Sequence, residues 1–221
     1  MEEKEAYFVL ASVVLVTHRN TPETFHEGWL EQNEIFDEDM EVEQALKTPP
    51  VTKIQFKNGL VFEAHKNPPS DGGQGRTEIK LPFETDDSQE DRELKLENLK
   101  EYVLNFAGTT RHLPYDAVGL NYKIAVEVDG LKKVTRGLPE GALPQKISFV
   151  LPYEDFKTKV ELDTGTLTDT GTPVVVFGGN FHKDIQEFEN RDDRYEEIER
   201  TVRKVPNALN KLQDIINATD L

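Results

Sequence analysis

The feature that most constrains the fold is a layout that occurs twice along the chain: a strand-rich stretch followed by an acidic amphipathic helix. The first pass runs from about Val51 to Ala107 and the second from about Lys146 to Ala218. Apolar residues alternate with polar ones in the strand-rich stretches and recur every three or four residues in the helices. We therefore predict a single α+β domain over residues 1–221, with a mostly antiparallel sheet covered on one face by two long helices. A second hypothesis is that residues 51–107 and 146–218 are halves of one repeated plan.

The segment from Tyr7 to Val16 is nearly all apolar and rich in valine, which favours a buried strand. Residues 2–5 ahead of it are mostly acidic, unlike the basic start of a secretory signal, and ten apolar residues are too few to span a bilayer as a helix. The chain also contains no cysteine, so disulfides and thiolate sites are excluded. We expect a cytoplasmic protein that does not bind a membrane.

The charge of the chain is strongly negative, at -16, with 42 acidic side chains against 26 lysines and arginines. This balance disfavours nucleic acids and anionic membranes as partners, because both reward lysine and arginine. The first fifty residues hold twelve acidic side chains against Lys4, Arg19 and Lys47. Such a surface either attracts a basic protein partner or serves as a coat that keeps the protein soluble.

Local signals place several elements before the first long helix. Thr21 and Pro22 are typical of a helix start, which predicts a short helix to about Gln32, whereas residues 34–47 are acidic and read as a marginal helix or a loop. Asn58-Gly59 lies between two short apolar runs and predicts a hairpin with a type I′ turn. A third strand contains Ile79, Leu81 and Phe83.

The first long helix begins with Ser88 as its N-cap and Asp91 three residues later, a variant of the capping box, and we expect it to end at Gly108. Further strands are predicted at 118–128, 156–162 and 173–182. The glycine- and proline-rich segment 136–144 indicates a long loop between the halves.

The last helix follows its N-cap Asn190 and has the most regular apolar spacing in the chain, with residues at alternating steps of three and four: Tyr195, Ile198, Val202, Val205, Leu209, Leu212 and Ile216. Such a stripe either packs on the sheet of its own chain or forms a coiled coil that makes a homo-oligomer. Pro206 should kink or divide the helix, which disfavours a straight coiled coil.

The pattern Asp163-Thr164-Gly165, repeated at residues 169–171, matches the tripeptide of aspartic proteases. Those enzymes bring two carboxylates together from two lobes, and copies six residues apart cannot be two lobes. We interpret the pattern as turn chemistry in a loop between strands.

His182 and Asp184 would share one face of a strand, where they could bind a metal or act as a base and its orienting partner. No HExxH, phosphate-binding loop or calcium loop is present, and the sequence predicts no cofactor and no catalytic residue. Whether a three-dimensional site forms around Asp163, His182 or Asp184 is left open at this stage.

The sequence is compatible with three functions. The first is a non-enzymatic acidic protein that binds protein partners or itself, through its surface or its C-terminal helix. The second is a small apolar-ligand binder with a pocket between the sheet and the C-terminal helix, as a sheet wrapped around that helix would form. The third is a hydrolase or metal enzyme whose residues meet only in three dimensions.

Overall fold

The computed structural model describes residues 6–17, 22–66, 74–84, 86–127, 146–166 and 171–218. Within these residues, nine strands form one antiparallel sheet with the order β2-β3-β4-β5-β1-β6-β9-β8-β7. The strands are β1 Ala6–Thr17, β2 Val42–Thr48, β3 Val51–Phe56, β4 Val61–Lys66, β5 Gly75–Pro82, β6 Tyr115–Glu127, β7 Lys146–Tyr153, β8 Phe156–Thr166 and β9 Pro173–Asp184. The helices are α1 Glu27–Gln32, α2 Gln89–Thr109, α3 Arg191–Val202 and α4 Val205–Ala218. The predicted α+β class is confirmed.

The apolar N-terminal segment forms β1 at the middle of the sheet, between β5 and β6. Outward from the β1–β6 pair, the strands follow in reverse chain order on both sides, β5 to β2 on one and β9 to β7 on the other. The elements from β1 to α2 follow one order: a central strand, then strands added from the edge of the sheet inward, then a helix. The elements from β6 to α4 follow the same order. We propose on that basis that the halves predicted at residues 51–107 and 146–218 repeat one plan, with a central strand, β1 or β6, ahead of each.

Side chains alternate between the two faces of the sheet along each strand, and the two faces have different surroundings. Helices α2, α3 and α4 cover one face, where the aromatic side chains Phe62, Phe106, Phe177 and Phe181 are fully buried. The Tyr122 side chain extends from the sheet toward α4, where its hydroxyl donates a hydrogen bond to the backbone oxygen of Val205, 2.6 Å away. The opposite face, called here the open face, carries no helix among the described residues.

The C-terminal apolar stripe packs on the sheet of its own chain. Every predicted stripe residue from Ile198 to Ile216 is buried, and only Tyr195 is half-buried. Pro206 divides the segment, with α3 ending at Val202 and α4 beginning at Val205. The stripe is therefore occupied within the chain and is not a free surface for a second copy.

Close packing also fills the place where α4 crosses β9. A Cβ atom added to Gly179 would lie 3.0 Å from Leu212 Cδ2 and 3.1 Å from Phe181 Cε2. Both of these side chains are fully buried. No room for an apolar ligand exists between the sheet and the C-terminal helix at this crossing.

Four local predictions were wrong in detail. Residues 42–48 form the edge strand β2 instead of a helix or loop, because strand pairing with β3 outweighs their weak helical periodicity. The first short helix is capped by His26, whose ring accepts from the Trp29 N–H, and a separate 3-10 turn occupies Pro22–Thr24. Thr21 lies outside the described residues.

The third and fourth errors concern glycines. The β3–β4 turn has a positive φ only at Gly59, so it is not type I′; the Gly59 N–H bonds to the Phe56 oxygen as in a type I turn followed by a bulge. Helix α2 starts with the predicted Ser88–Asp91 capping box but runs past Gly108, and its C-cap is Thr110. The predicted loop at 136–144 lies outside the described residues.

Candidate binding site on the open face of the sheet

A concave depression of about 500 Å³ lies at the centre of the open face. Strands β1, β5, β6, β8 and β9 contribute to it, so it spans roughly 19 Å at the usual strand spacing. Its lining residues include two glycines and a set of apolar, amide, hydroxyl and charged side chains: Leu10, Ser12, Val14, Val16, Arg76, Glu78, Lys80, Gly119, Asn121, Lys123, Glu161, Gly178, Asn180 and His182.

Two glycines form part of the floor of this depression. In the strand register Gly119 pairs with His182 and Gly178 pairs with Lys123. A Cβ atom at Gly119 would meet Val14 at 3.8 Å, and one at Gly178 would meet the Glu161 backbone oxygen at 3.9 Å. These are ordinary contact distances, so the missing side chains leave open space above bare backbone.

A buried carboxylate, Glu78, lies at one side of the depression. Only 5% of Glu78 is exposed, and its two oxygens share three donors. Ser12 Oγ donates to Glu78 Oε1 at 2.7 Å, while Arg76 and Lys80 both contact Oε2, Lys80 at 3.3 Å. The charge of Glu78 is therefore compensated inside the protein, as burial of a carboxylate requires.

The same network continues to the neighbouring strand β4. Lys80 Nζ bonds to Glu63 Oε2 at 2.9 Å, and His65 Nδ1 lies 3.8 Å from Glu63 Oε1. Burial acts to raise the pKa of Glu63, but the hydrogen bond and charge of Lys80 lower it below its ordinary range. Burial and the positive charge of Arg76 lower the pKa of His65, against the negative charges of Glu63 and Glu78, which raise it.

Side-chain amides form a row beside this charged cluster. Asn180 Nδ2 donates to Asn121 Oδ1, and Asn121 Nδ2 donates to Ser12 Oγ at 3.4 Å. The residues are in register across β9, β6 and β1. The row brings hydrogen-bonding groups to the middle of the depression.

Lys123 is the exposed cation of the lining. No carboxylate of the described residues lies within ion-pair distance of its ammonium group, in contrast to Arg76 and Lys80. Its charge is available to a ligand at low desolvation cost.

The predicted pair His182 and Asp184 does meet on the open face, with Nε2 and Oδ1 2.9 Å apart. Hydrogen bonds from Lys157 and then from His182 lower the pKa of Asp184. Within the described ranges there is no cluster of three histidine or acidic side chains suited to a metal. Lys157 supplies a cation where a third ligand would be needed, so the pair is a hydrogen-bonded contact at the rim.

The Asp163-Thr164-Gly165 tripeptide is not in a loop as predicted. It lies in β8 and pairs with Val174, Val175 and Val176 of β9, because the valine-rich partner strand extends the ladder through it. Asp163 Oδ1 accepts from the backbone N–H of Thr164 at 2.8 Å. Of the second copy only Gly171 is described, and its φ of 70° is that of a turn.

Of the residues that form the depression, the sequence singled out His182 alone. One signal was available: Arg76, Glu78 and Lys80 alternate with Thr77, Ile79 and Leu81, which marks a strand with a charged face. The meeting of Ser12, Asn121 and Asn180 depends on the strand order, which local spacing does not reveal.

The comparisons with known proteins identify no family for this chain. No protein-family model matches it, and no significant match was found among curated proteins. One matching solved structure is titled "Crystal structure of the di-domain ARO/CYC StfQ from the steffimycin biosynthetic pathway". It is 10% identical, covers 91% of this chain and 96% of that chain, and has a TM-score of 0.19. A TM-score this low establishes no common fold, and nothing is inferred from it.

No helix in the described part of the chain is both long enough and apolar enough to cross a bilayer.

Proposed function

We propose that this chain is a non-enzymatic binding protein that holds an extended, carboxylate-bearing segment of a partner protein on the open face of its sheet. The observation that carries the proposal is the central depression, which is wide, open and lined by groups of mixed chemistry. A polypeptide segment presents the same mixture: apolar side chains, backbone amides and charges.

Each part of the lining has a counterpart in such a segment. Leu10, Val14 and Val16 offer apolar surface for aliphatic side chains. The row made by Asn121 and Asn180 offers side-chain amides that can hydrogen-bond to the backbone of the bound segment, which is not paired with a strand. The bare floor at the two glycines lets that backbone approach closely.

The position of charge favours a carboxylate in the ligand. Glu78 is already shared by Ser12, Arg76 and Lys80, so it has little remaining attraction for a cation. Lys123 has no such compensation from the described carboxylates. An acidic side chain of the partner would lie at Lys123.

The local chemistry gives less support to catalysis. Ser12 is 1% exposed, and its hydroxyl donates to Glu78. Ser12 and His182 lie on β1 and β9, with β6 between them, and His182 is two residues along from Asn180, which is in the row of Ser12, so they are about 12 Å apart by strand geometry. A hydroxyl and an imidazole at that separation do not form a nucleophile and its base.

A panel of fluorescein-labelled peptides of about eight residues, long enough to cross the depression, tests the proposal. The peptides share one alternating apolar sequence and differ at a central residue, which is Asp, Asn or Lys. Fluorescence polarisation should show tightest binding for the Asp peptide. Lys123→Gln should remove the preference for Asp over Asn while the Asn peptide binds as before.

The decisive variant is Gly119→Leu, which fills the depression and should weaken binding about tenfold or more. Gly165→Leu is its matched control, since the same substitution on β8 meets Val174 and Val176 at ordinary distances outside the lining. Equal binding by both variants, or no binding of any peptide at millimolar concentration, would refute the proposal.

A further inference from the structure

The centre of the depression contains one residue pattern twice, on neighbouring strands. Residues 119–123 of β6 and 178–182 of β9 both have glycine first, asparagine third and a side chain that can be a cation last. The strands are antiparallel and the two asparagines pair in register, so a local two-fold axis between them relates Lys123 to His182. The register pairs are Gly119 with His182, Asn121 with Asn180, and Lys123 with Gly178.

Lys123 and His182 lie at opposite ends of this pattern. His182 is beside Gly119, which is four residues from Lys123 along β6. Four residues of extended chain span roughly 13 Å, and every second side chain of such a chain points the same way. An extended segment lying along β6 and β9 would therefore direct its residues i and i+4 at Lys123 and His182, and its residue i+2 at the asparagine pair.

The imidazole of His182 is held by one nitrogen and presents the other. Nε2 lies 2.9 Å from Asp184 Oδ1, and among the described residues the hydrogen bonding of this ring is confined to Nε2. Asp184 also accepts from Lys157, as an ionised carboxylate does, so Nε2 is the donor in its contact with Asp184. Nδ1 carries a second N–H when the ring is protonated, and the side chain is 35% exposed, so a ligand can reach it.

The neighbours of His182 on the open face supply charges of both signs. Its register partner on β8 is Lys157, which bonds to Asp184, and its partner on β6 is a glycine. The next lysine along β8, Lys159, is paired with Glu161 at 2.5 Å. Lys157 and Asp184 cancel each other, so this end of the depression gains a net positive charge when the imidazole takes up a proton.

We infer that the ligand of the depression is an extended segment with acidic residues at positions i and i+4, one bound by Lys123 and the other by protonated His182. This inference rests on the proposed function and adds a second anchor to it. The local two-fold relation permits either chain direction, because reversal only exchanges the two acidic residues. Binding should strengthen as the pH falls, since histidine changes its charge between about pH 8 and 5 while the carboxylates of the ligand stay ionised.

A second panel of fluorescein-labelled peptides, used with the full chain, tests the spacing. Peptides of about eleven residues carry one fixed Asp and, two, three, four or six residues later, either Asn or a second Asp. At pH 6, fluorescence polarisation should show that the second Asp tightens binding at least about fivefold at spacing four and less than about twofold at the other spacings. At pH 8 the gain at spacing four should fall below about twofold.

Variants of His182 assign this gain to its side chain. Each variant is measured by the ratio of its affinities for the two-Asp and one-Asp peptides, so a general loss of binding cancels. His182→Gln should reduce the ratio below about twofold at pH 6, whereas His182→Lys should keep the gain at both pH values. His112→Gln is the matched control, because His112 is exposed and outside the lining; it should retain the wild-type gain and its pH dependence.

The outcomes separate this second anchor from the proposed function. Failure of the one-Asp peptide to bind would remove both. If that peptide binds through Lys123 but a second Asp adds nothing at spacing four and pH 6, the second anchor alone is overturned. Equal gains at all spacings, or a gain that survives His182→Gln, would overturn it as well.

Discussion

Gly178 and Gly179 are neighbours on β9, yet they lie on opposite faces of the sheet and in opposite environments. Gly179 faces α4, where a Cβ atom would come within 3.0 Å of Leu212. Gly178 faces the open side, where a Cβ atom would have ordinary contacts only. One face of the sheet is therefore closely packed against a helix, whereas the other face has room for additional atoms.

Buried carboxylates extend the comparison. Glu197, on α3, is 2% exposed; it contacts Lys183, which ties the helix to β9, and Arg200 of the same helix. Glu78, on the open face, is buried among donors from its own and neighbouring strands. The first network joins a helix to the sheet, whereas the second joins strands at the edge of a depression.

The largest expected difference in the free energy of unfolding is between alanine variants of the consecutive residues Phe181 and Asn180. Phe181 is fully buried against Tyr122 and Tyr153, so Phe181→Ala should lower the free energy of unfolding by about 3–5 kcal/mol. Asn180→Ala, on the open face, should cost about 1 kcal/mol or less, the value of one exposed hydrogen bond. Urea unfolding of the two variants measures both; equal losses would mean that the open face is packed as tightly as the other.

Valine substitutions at Gly179 and Gly178 give the next largest expected difference in stability. Gly179→Val must displace fully buried side chains and should cost about 1–3 kcal/mol through overpacking. Gly178→Val adds a β-branched side chain where there is room, so its effect should stay within about 0.5 kcal/mol. Thermal and urea unfolding compare the two directly. A large loss for Gly178→Val would contradict the open space assigned to this face.

The smallest effect concerns pH and the charged contacts at the turn between β7 and β8. A hydrogen bond from Lys183, opposed by burial and aided by Lys204, lowers the pKa of Asp155 from its ordinary 3.8 to about 2. A lowered pKa stabilises the folded state above pH 3.8, and this contribution disappears as the pH falls to 2. Asp155→Asn should therefore be less stable than the wild type at pH 5, by well under 1 kcal/mol because the side chain is half exposed.

The two unfolding curves should converge by pH 2 in the same urea titration. The control is Asp163→Asn, since Asp163 is exposed and, among the described residues, its oxygen accepts from the adjacent Thr164 N–H alone. A wild-type advantage that persists at pH 2 would show that Asp155 acts through packing and not through its charge.

Sequence reasoning predicted the helix-covered face better than the open face, for a physical reason. The stripe from Ile198 to Ile216 and the alternation in β5 repeat with the period of their elements, so burial could be inferred locally. Helix boundaries at Ser88, Asn190 and Pro206 followed from capping and from the missing proline donor.

The open face has no comparable local signal. Ser12, Glu78, Asn121 and Asn180 are distant in sequence and meet only because β1 lies between β5 and β6, with β9 beyond. The edge strand β2 was missed for a related reason, because its exposed residues carry little periodicity and only pairing with β3 fixes them as a strand.

The central claim is that the depression on the open face is the place where a ligand binds. Amide resonances of the labelled protein, recorded during titration with the tightest-binding peptide of the panel, test it most directly. The account predicts that the largest shifts occur at Gly119, Asn121, Gly178 and Asn180. Shifts concentrated on α4, or confined to the β2 edge, with these four amides unmoved, would contradict it.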